Sequence, residues 1–203
     1  VTDVLAGVFV GGGGTRLGGA AKGMLPAPEG GTLVARWRGL LEDLGLTVVL
    51  VGHHPAYASL ALERVADEPP GIGPLGGLVG LLRRAGPGRA LALACDMPFV
   101  SRSLVEDLLA APPAPIVAPR REGLWEPLFA VYDAPAVLPL AIARAAGSSH
   151  SLQRLLDQAG ATELPLAPAR HTELSDVDTP EDLAGAHSRV GVSGERPRSP
   201  ERD

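Results

Sequence analysis

Apolar runs of strand length alternate with stretches of helical period along this chain, the pattern of a mostly parallel sheet covered by helices. Residues 4–10 read as a buried first strand that empties into Gly11-Gly-Gly-Gly-Thr-Arg-Leu-Gly-Gly-Ala-Ala-Lys-Gly23. Thr32 is placed to cap a helix over residues 33–44, with Gly45 as its stop. The run TVVLV at 47–51 predicts the second strand, residues 56–64 a short helix, and 65–67 a strand end. Gly73-Pro74-Leu75-Gly76-Gly77 opens a helix to residue 85, with Pro74 in its first turn. The apolar run at 90–94 is a central strand that ends at Cys95-Asp96.

Further along, Ser101 caps a predicted helix over 102–111, and strands at 116–118 and 128–132 flank a loop at 119–127. Residues 134–146 and 152–159 read as helices, and Asp178-Thr179-Pro180-Glu181-Asp182 has the composition of a helix start. From Ser188 onward the chain is Gly, Ser, Pro, Arg and Glu without apolar periodicity. The expectation is one α/β domain over residues 1–187, a Rossmann-like three-layer sandwich, followed by a disordered tail over 188–203.

Composition narrows the function. Hydrophobic residues make up 45% of the 203, yet only two Trp, two Tyr and three Phe occur, so the core is expected to be Leu, Val and Ala. A formal charge of −5 argues against a general binder of nucleic acid or membrane surfaces. Cys95 is the single cysteine, which excludes an intrachain disulfide. No signal-peptide pattern opens the chain and no apolar run approaches the roughly 18 residues of a membrane span, so a cytoplasmic protein is expected.

The loop from Gly11 to Gly23 carries the clearest chemical signal. Glycines let main-chain N–H groups approach phosphate oxygens, and Arg16 and Lys22 offset their charge, which reads as a nucleoside triphosphate site. The alternative is a plain strand-to-helix turn. Lys22 is followed by Gly23 and Met24 rather than the Ser or Thr of a P-loop, and no acid closes the second strand as a dinucleotide fingerprint requires. Asp96 leaves the central strand where ligands bind in open α/β sheets, so it is the candidate Mg²⁺ ligand; the bland reading is a turn aspartate.

Asp67 stands before a Pro- and Gly-rich stretch and either accepts from a base or ribose or is an ordinary acidic turn. Asp178 is accounted for by capping, with a second metal or substrate contact, shared with Asp176, as the sharper reading. Trp125-Glu126-Pro127-Leu128 is a candidate acceptor side of a cleft, with Trp125 also readable as a core or lid residue. His53, His54, His150 and His171 lack zinc-ligand spacing with Cys95, which is expected to pack as a small apolar residue, and no hydrolase-like Ser-His-Asp order occurs.

Together, Phe9-Val-Gly-Gly-Gly-Gly-Thr-Arg-Leu-Gly-Gly-Ala-Ala-Lys-Gly-Met24, Gly73-Pro-Leu-Gly-Gly77, Cys95-Asp-Met-Pro-Phe99, Trp125-Glu-Pro-Leu-Phe129 and Asp176-Val-Asp-Thr-Pro-Glu-Asp-Leu183 resemble, in order, the motifs of the molybdenum cofactor guanylyltransferases (MobA). The resemblance runs from Val4 to about Ala186. It implies Mg²⁺-dependent transfer of GMP from GTP to molybdopterin, with pyrophosphate released, and transient contact with molybdoenzymes or cofactor-handling proteins. By position it implies that Phe9, Val10, Gly11 and Gly12 lie along the nucleotide, that Lys22 meets its phosphates, Asp67 its nucleoside part and Asp96 the Mg²⁺. This chain departs from the family at three points: Val10 replaces an alanine, Ala21 an aspartate beside the lysine, and Gly52-His53-His54 an asparagine. Rival readings are a molybdopterin cytidylyltransferase, a relative with another phosphorylated acceptor, and a nucleotide-binding module that has lost its chemistry.

Overall fold

Side chains along β1 (Val4–Phe9) alternate between two separate apolar clusters, and that alternation sets the layers of the molecule. Leu5 and Phe9 face one cluster; Val4, Ala6 and Val8 face the other. The computed structural model describes residues 4–11 and 21–176. In chain order the remaining strands are β2 (Thr47–Val51), β3 (Glu63–Val65), β4 (Arg89–Ala94), β5 (Ile116–Ala118), β6 (Arg120–Arg121), β7 (Leu124–Trp125), β8 (Phe129–Asp133) and β9 (Thr162–Glu163). The helices are α1 (Leu33–Asp43), α2 (Pro74–Ala85), α3 (Arg102–Ala110), α4 (Ala134–Ala145) and α5 (Leu152–Gln158).

Seven strands form one sheet in the order β3-β2-β1-β4-β8-β5-β9, and β6 pairs β7 in a separate hairpin. Helices α2, α4 and α5 pack on the face of Leu5 and Phe9, while α1 and α3 cover the face of Val8. The expected three-layer α/β arrangement is therefore present. Pairing is parallel from β3 through β4, but β8 runs antiparallel to both β4 and β5.

Element ends follow local chemistry. Thr32 accepts from the Ala35 amide at the start of α1, Ser101 from Leu104 at the start of α3, and Pro74 occupies the first turn of α2, all as expected. Gly45, at φ +74°, follows α1. The expected helix over 56–64 is absent. A single 3₁₀ turn, Pro55–Tyr57, stands there, and Arg64 donates to the Tyr57 and Ala58 carbonyls at 3.1 and 3.0 Å, closing the turn before β3 begins at Glu63. The expected loop over 119–127 contains the β6–β7 hairpin, turned through Glu122 (φ +53°) and Gly123 (φ +81°). The predicted helix start at Asp178 and the predicted tail lie outside the described residues. Among the described residues, no helix is long and apolar enough to cross a membrane.

Candidate functional site

The four parallel strands end level with one another. Phe9 lies opposite Val51 and Ala94, and Val51 lies opposite Val65. Whatever leaves β1, β2, β3 and β4 therefore emerges along one edge, which holds Gly11, Gly52, Asp67 and Asp96. Gly52 has φ +95°, and a Cβ there would fall 2.8 Å from the Gly11 Cα, so the ends of β1 and β2 approach more closely than any side chain permits.

Lys22 begins a 3₁₀ turn, Lys22–Met24, and its Nζ lies 2.9 Å from Asp96 Oδ2. The two side chains are 31% and 19% exposed, so the pair is open enough for a ligand to exchange into it. The Gly23 amide donates to the buried Tyr57 hydroxyl at 3.0 Å. Cys95 is buried beside this turn, and burial, with Asp96 adding, raises its thiol to about 12, which fits the expected small apolar packing role.

Asp67 sits over the first turn of α2. Its Oδ1 is 3.3 Å from where a Cβ on Gly77 would lie, and 3.8 Å from one on Gly52. Burial raises its carboxyl above the usual range, and among the described residues no cation or donor pairs with it. A desolvated acceptor without a protein partner suits a ligand donor.

Phe9 and Val10 are buried in opposite clusters, and the Val10 and Gly11 amides donate to the Val51 carbonyl at 3.0 and 3.3 Å. At these positions the Phe9 and Val10 side chains are turned into the core, and the main chain packs closely against the end of β2. Gly12, Arg16 and Asp178 lie outside the described residues.

A second half of the edge lies beyond β4. The Leu128 carbonyl accepts from the Ala94 amide at 2.7 Å, which sets Glu126-Pro127-Leu128 alongside the end of β4. Glu126 accepts from Arg121 Nε at 2.6 Å, and Arg121 also reaches Asp176 at 3.5 Å. Burial raises the Glu126 carboxyl, with Arg121 offsetting part of the effect. Trp125 resolves as a core residue: its indole N–H donates to Asp157 at 2.8 Å, its backbone pairs twice with Gln153, and the Arg120 guanidinium stacks 3.8 Å above its ring.

No group of three or more His, Cys, Asp or Glu side chains that could hold a metal occurs among the described residues. A lone carboxylate beside a lysine suits Mg²⁺, which keeps waters and takes most remaining ligands from substrate phosphates. Tyr57 and Arg121 were not singled out from sequence.

Residues 6–163 match the model of the MobA-like NTP transferase domain. The chain is 33% identical over 184 residues to the molybdenum cofactor guanylyltransferase of Pseudomonas putida, covering 87% of this chain and 93% of that one. It is 36% identical over 187 residues to the molybdenum cofactor guanylyltransferase of Ectopseudomonas mendocina, covering 88% and 89%. Its backbone is similar to the crystal structure of molybdopterin-guanine dinucleotide biosynthesis protein A from Archaeoglobus fulgidus, with a TM-score of 0.70 over 92% of this chain and 98% of that one. At 24% identity that last likeness concerns the fold.

Proposed function

The chain belongs to the MobA-like NTP transferase family and is a nucleotidyltransferase, and we propose that its reaction is transfer of GMP from GTP to molybdopterin. The observation that carries the reading is the Lys22–Asp96 pair, 2.9 Å apart at the edge where four parallel strands end. A cation and a carboxylate so placed can share one triphosphate. The names of the relatives supply the base and the acceptor.

In this reading an oxygen of the acceptor's terminal phosphate monoester attacks the α-phosphorus of GTP. The bond from that phosphorus to the bridging oxygen breaks, and the electron pair leaves with pyrophosphate. The attacking oxygen is already anionic near neutral pH, so no general base is needed. Lys22 and Arg16 neutralise charge on the phosphate oxygens and hold the α-phosphorus in line. Asp67 accepts from the nucleoside, and the main chain at Phe9, Val10, Gly11 and Gly12 lies along it. Asp96 holds Mg²⁺, which when bound supplies further positive charge to the triphosphate. Asp178 is the second candidate contact to that ion. Glu126 and Arg121 stand on the acceptor side of the edge.

The experiment is a side-by-side turnover assay with GTP or CTP, Mg²⁺ and molybdopterin, following pyrophosphate. Release with GTP and little with CTP is expected. Preference for CTP would overturn the guanylyl assignment, and nucleotide binding without release would favour a binding module.

A further inference from the structure

Tyr57 has no part in the reaction as written, yet its hydroxyl is buried against the residue that follows Lys22. Its Oη accepts the Gly23 N–H at 3.0 Å, inside the turn Lys22–Met24. Cys95, which precedes Asp96, is buried in the same apolar cluster as Tyr57. One main-chain N–H thus ties the peptide carrying the lysine to a tyrosine from the loop after β2. Glycine is required at 23, because a Cβ there would lie 2.5 Å from Val34 Cγ2 and 2.9 Å from Tyr57 Oη.

Tyr57 is itself held from several sides. His54 Nδ1 accepts from the Ala56 amide at 3.2 Å, and the His54 ring meets the Tyr57 ring edge-on at 5.7 Å. Arg64 grips the Tyr57 carbonyl at 3.1 Å. Burial raises the phenol to about 12, with Cys95 and Asp96 adding, so it stays a neutral acceptor at physiological pH. A lysine reaches its target through a long, flexible stem, so the placement of its ammonium depends on how firmly its own peptide is fixed. Ala21, on the other side, carries no polar group to help.

We propose that Tyr57 is a positioning residue for Lys22, its hydroxyl clamping the Gly23 amide so that the ammonium is held at the distance from Asp96 that a shared triphosphate needs. What Lys22 then does rests on the reaction proposed above. The clamp itself does not.

Tyr57→Phe keeps the ring and removes the acceptor. In the GTP assay its kcat should fall about tenfold while the KM for GTP stays within about twofold, a split that general loosening of the fold does not produce. In a Lys22→Ala background the same change should cost nothing further, because a group that acts through Lys22 has no role once the lysine is gone. Hydrogen exchange of the peptide spanning residues 21–25 should accelerate, with β1 and β4 unaffected. Gly23→Ala combined with Val34→Ala, which relieves the nearer contact and leaves Tyr57 Oη as the displaced group, should lower kcat in the same way and is the variant to use if Tyr57→Phe does not fold. Unchanged kcat in Tyr57→Phe, an additive loss in the Lys22→Ala background, or unchanged exchange at Gly23 would each overturn the inference. An inactive wild type whose Gly23 amide is protected, and exposed by Tyr57→Phe, would instead strike the assigned reaction and leave the clamp standing.

Discussion

Lys22 Nζ and Asp96 Oδ2 meet at 2.9 Å although 74 residues separate them in the chain. The contact joins the end of the glycine-rich segment to the end of β4. Both side chains retain solvent contact, so the pair itself is worth at most about 1 kcal/mol of stability. Changes at either residue are therefore expected to read out in chemistry rather than folding. Asp96→Ala should lower turnover by at least about a hundredfold with an unaltered melting transition. Full activity in that variant, assayed with GTP, Mg²⁺ and molybdopterin, would remove Asp96 from the metal role.

Lys22→Ala tests the other partner. Its kcat should fall by roughly 10²–10³ with little change in the KM for GTP, because in the proposed reaction the ammonium acts on charge that develops in the transition state. A rise in KM at constant kcat would make Lys22 a ground-state binder instead.

Asp67 sets stability against binding. Burial holds its folded pKa above the unfolded value, so its favourable contribution exists only at low pH and is lost as pH rises through the folded pKa. At neutral pH the charged carboxylate is therefore a cost. Asp67→Asn should raise Tm at pH 7 by roughly 1–3 °C, a gain that disappears below about pH 4, and should weaken GTP binding. Titration calorimetry with GTP and melts at the two pH values check both halves, and a lower Tm at pH 7 would contradict the assignment of cause.

Glu173 behaves in the opposite sense. Burial alone would raise its carboxyl, but Arg170 at 2.7 Å and the Ser101 hydroxyl and amide at 2.5 and 3.1 Å hold it below the usual range. A depressed folded pKa contributes stability that is full above the unfolded value and lost as pH falls through the folded one. Glu173→Gln should cost about 1 kcal/mol at pH 7, discounted for partial exposure, and progressively less toward acid. Denaturant melts at pH 7 and in acid would reveal a constant difference if the charge were irrelevant.

Gly80 supplies a packing test away from the edge. A Cβ at this position of α2 would run into the Ala66 carbonyl oxygen, which is main chain and cannot rotate away. Gly80→Ala should destabilise the protein by about 1–3 kcal/mol despite the better helix propensity of alanine, as urea melts would register.

Much of this architecture is legible before any coordinates. The apolar runs of β1, β2 and β4, the caps Thr32 and Ser101, and Pro74 at the head of α2 each carry a local physical signal that tertiary structure did not override. Lys22 and Asp96 were readable because a cation after glycines and an acid after an apolar strand both fall at the same kind of boundary. The stretch 56–64 misleads because Pro55 resembles a helix start, while Arg64, from the far end, caps the carbonyls that a helix would have needed. Strands of two residues, such as β6 and β7, are too short to show a period, and only Glu122-Gly123 hints at their turn. The role of Tyr57 leaves no pattern, since it consists of one bond to a backbone amide.

The reversed direction of β8 has a consequence for how such a protein can change. A strand that starts at the edge where β4 ends is entered through a loop there, and Glu126-Pro127-Leu128 is delivered by the β6–β7 hairpin rather than by the segments that bear Lys22, Asp67 and Asp96. Insertions or substitutions in that hairpin change what surrounds Glu126 while β1 to β4 keep their register. In the proposed reaction the fold thus contains a seam along which acceptor preference can drift over generations without disturbing the residues assigned to the donor.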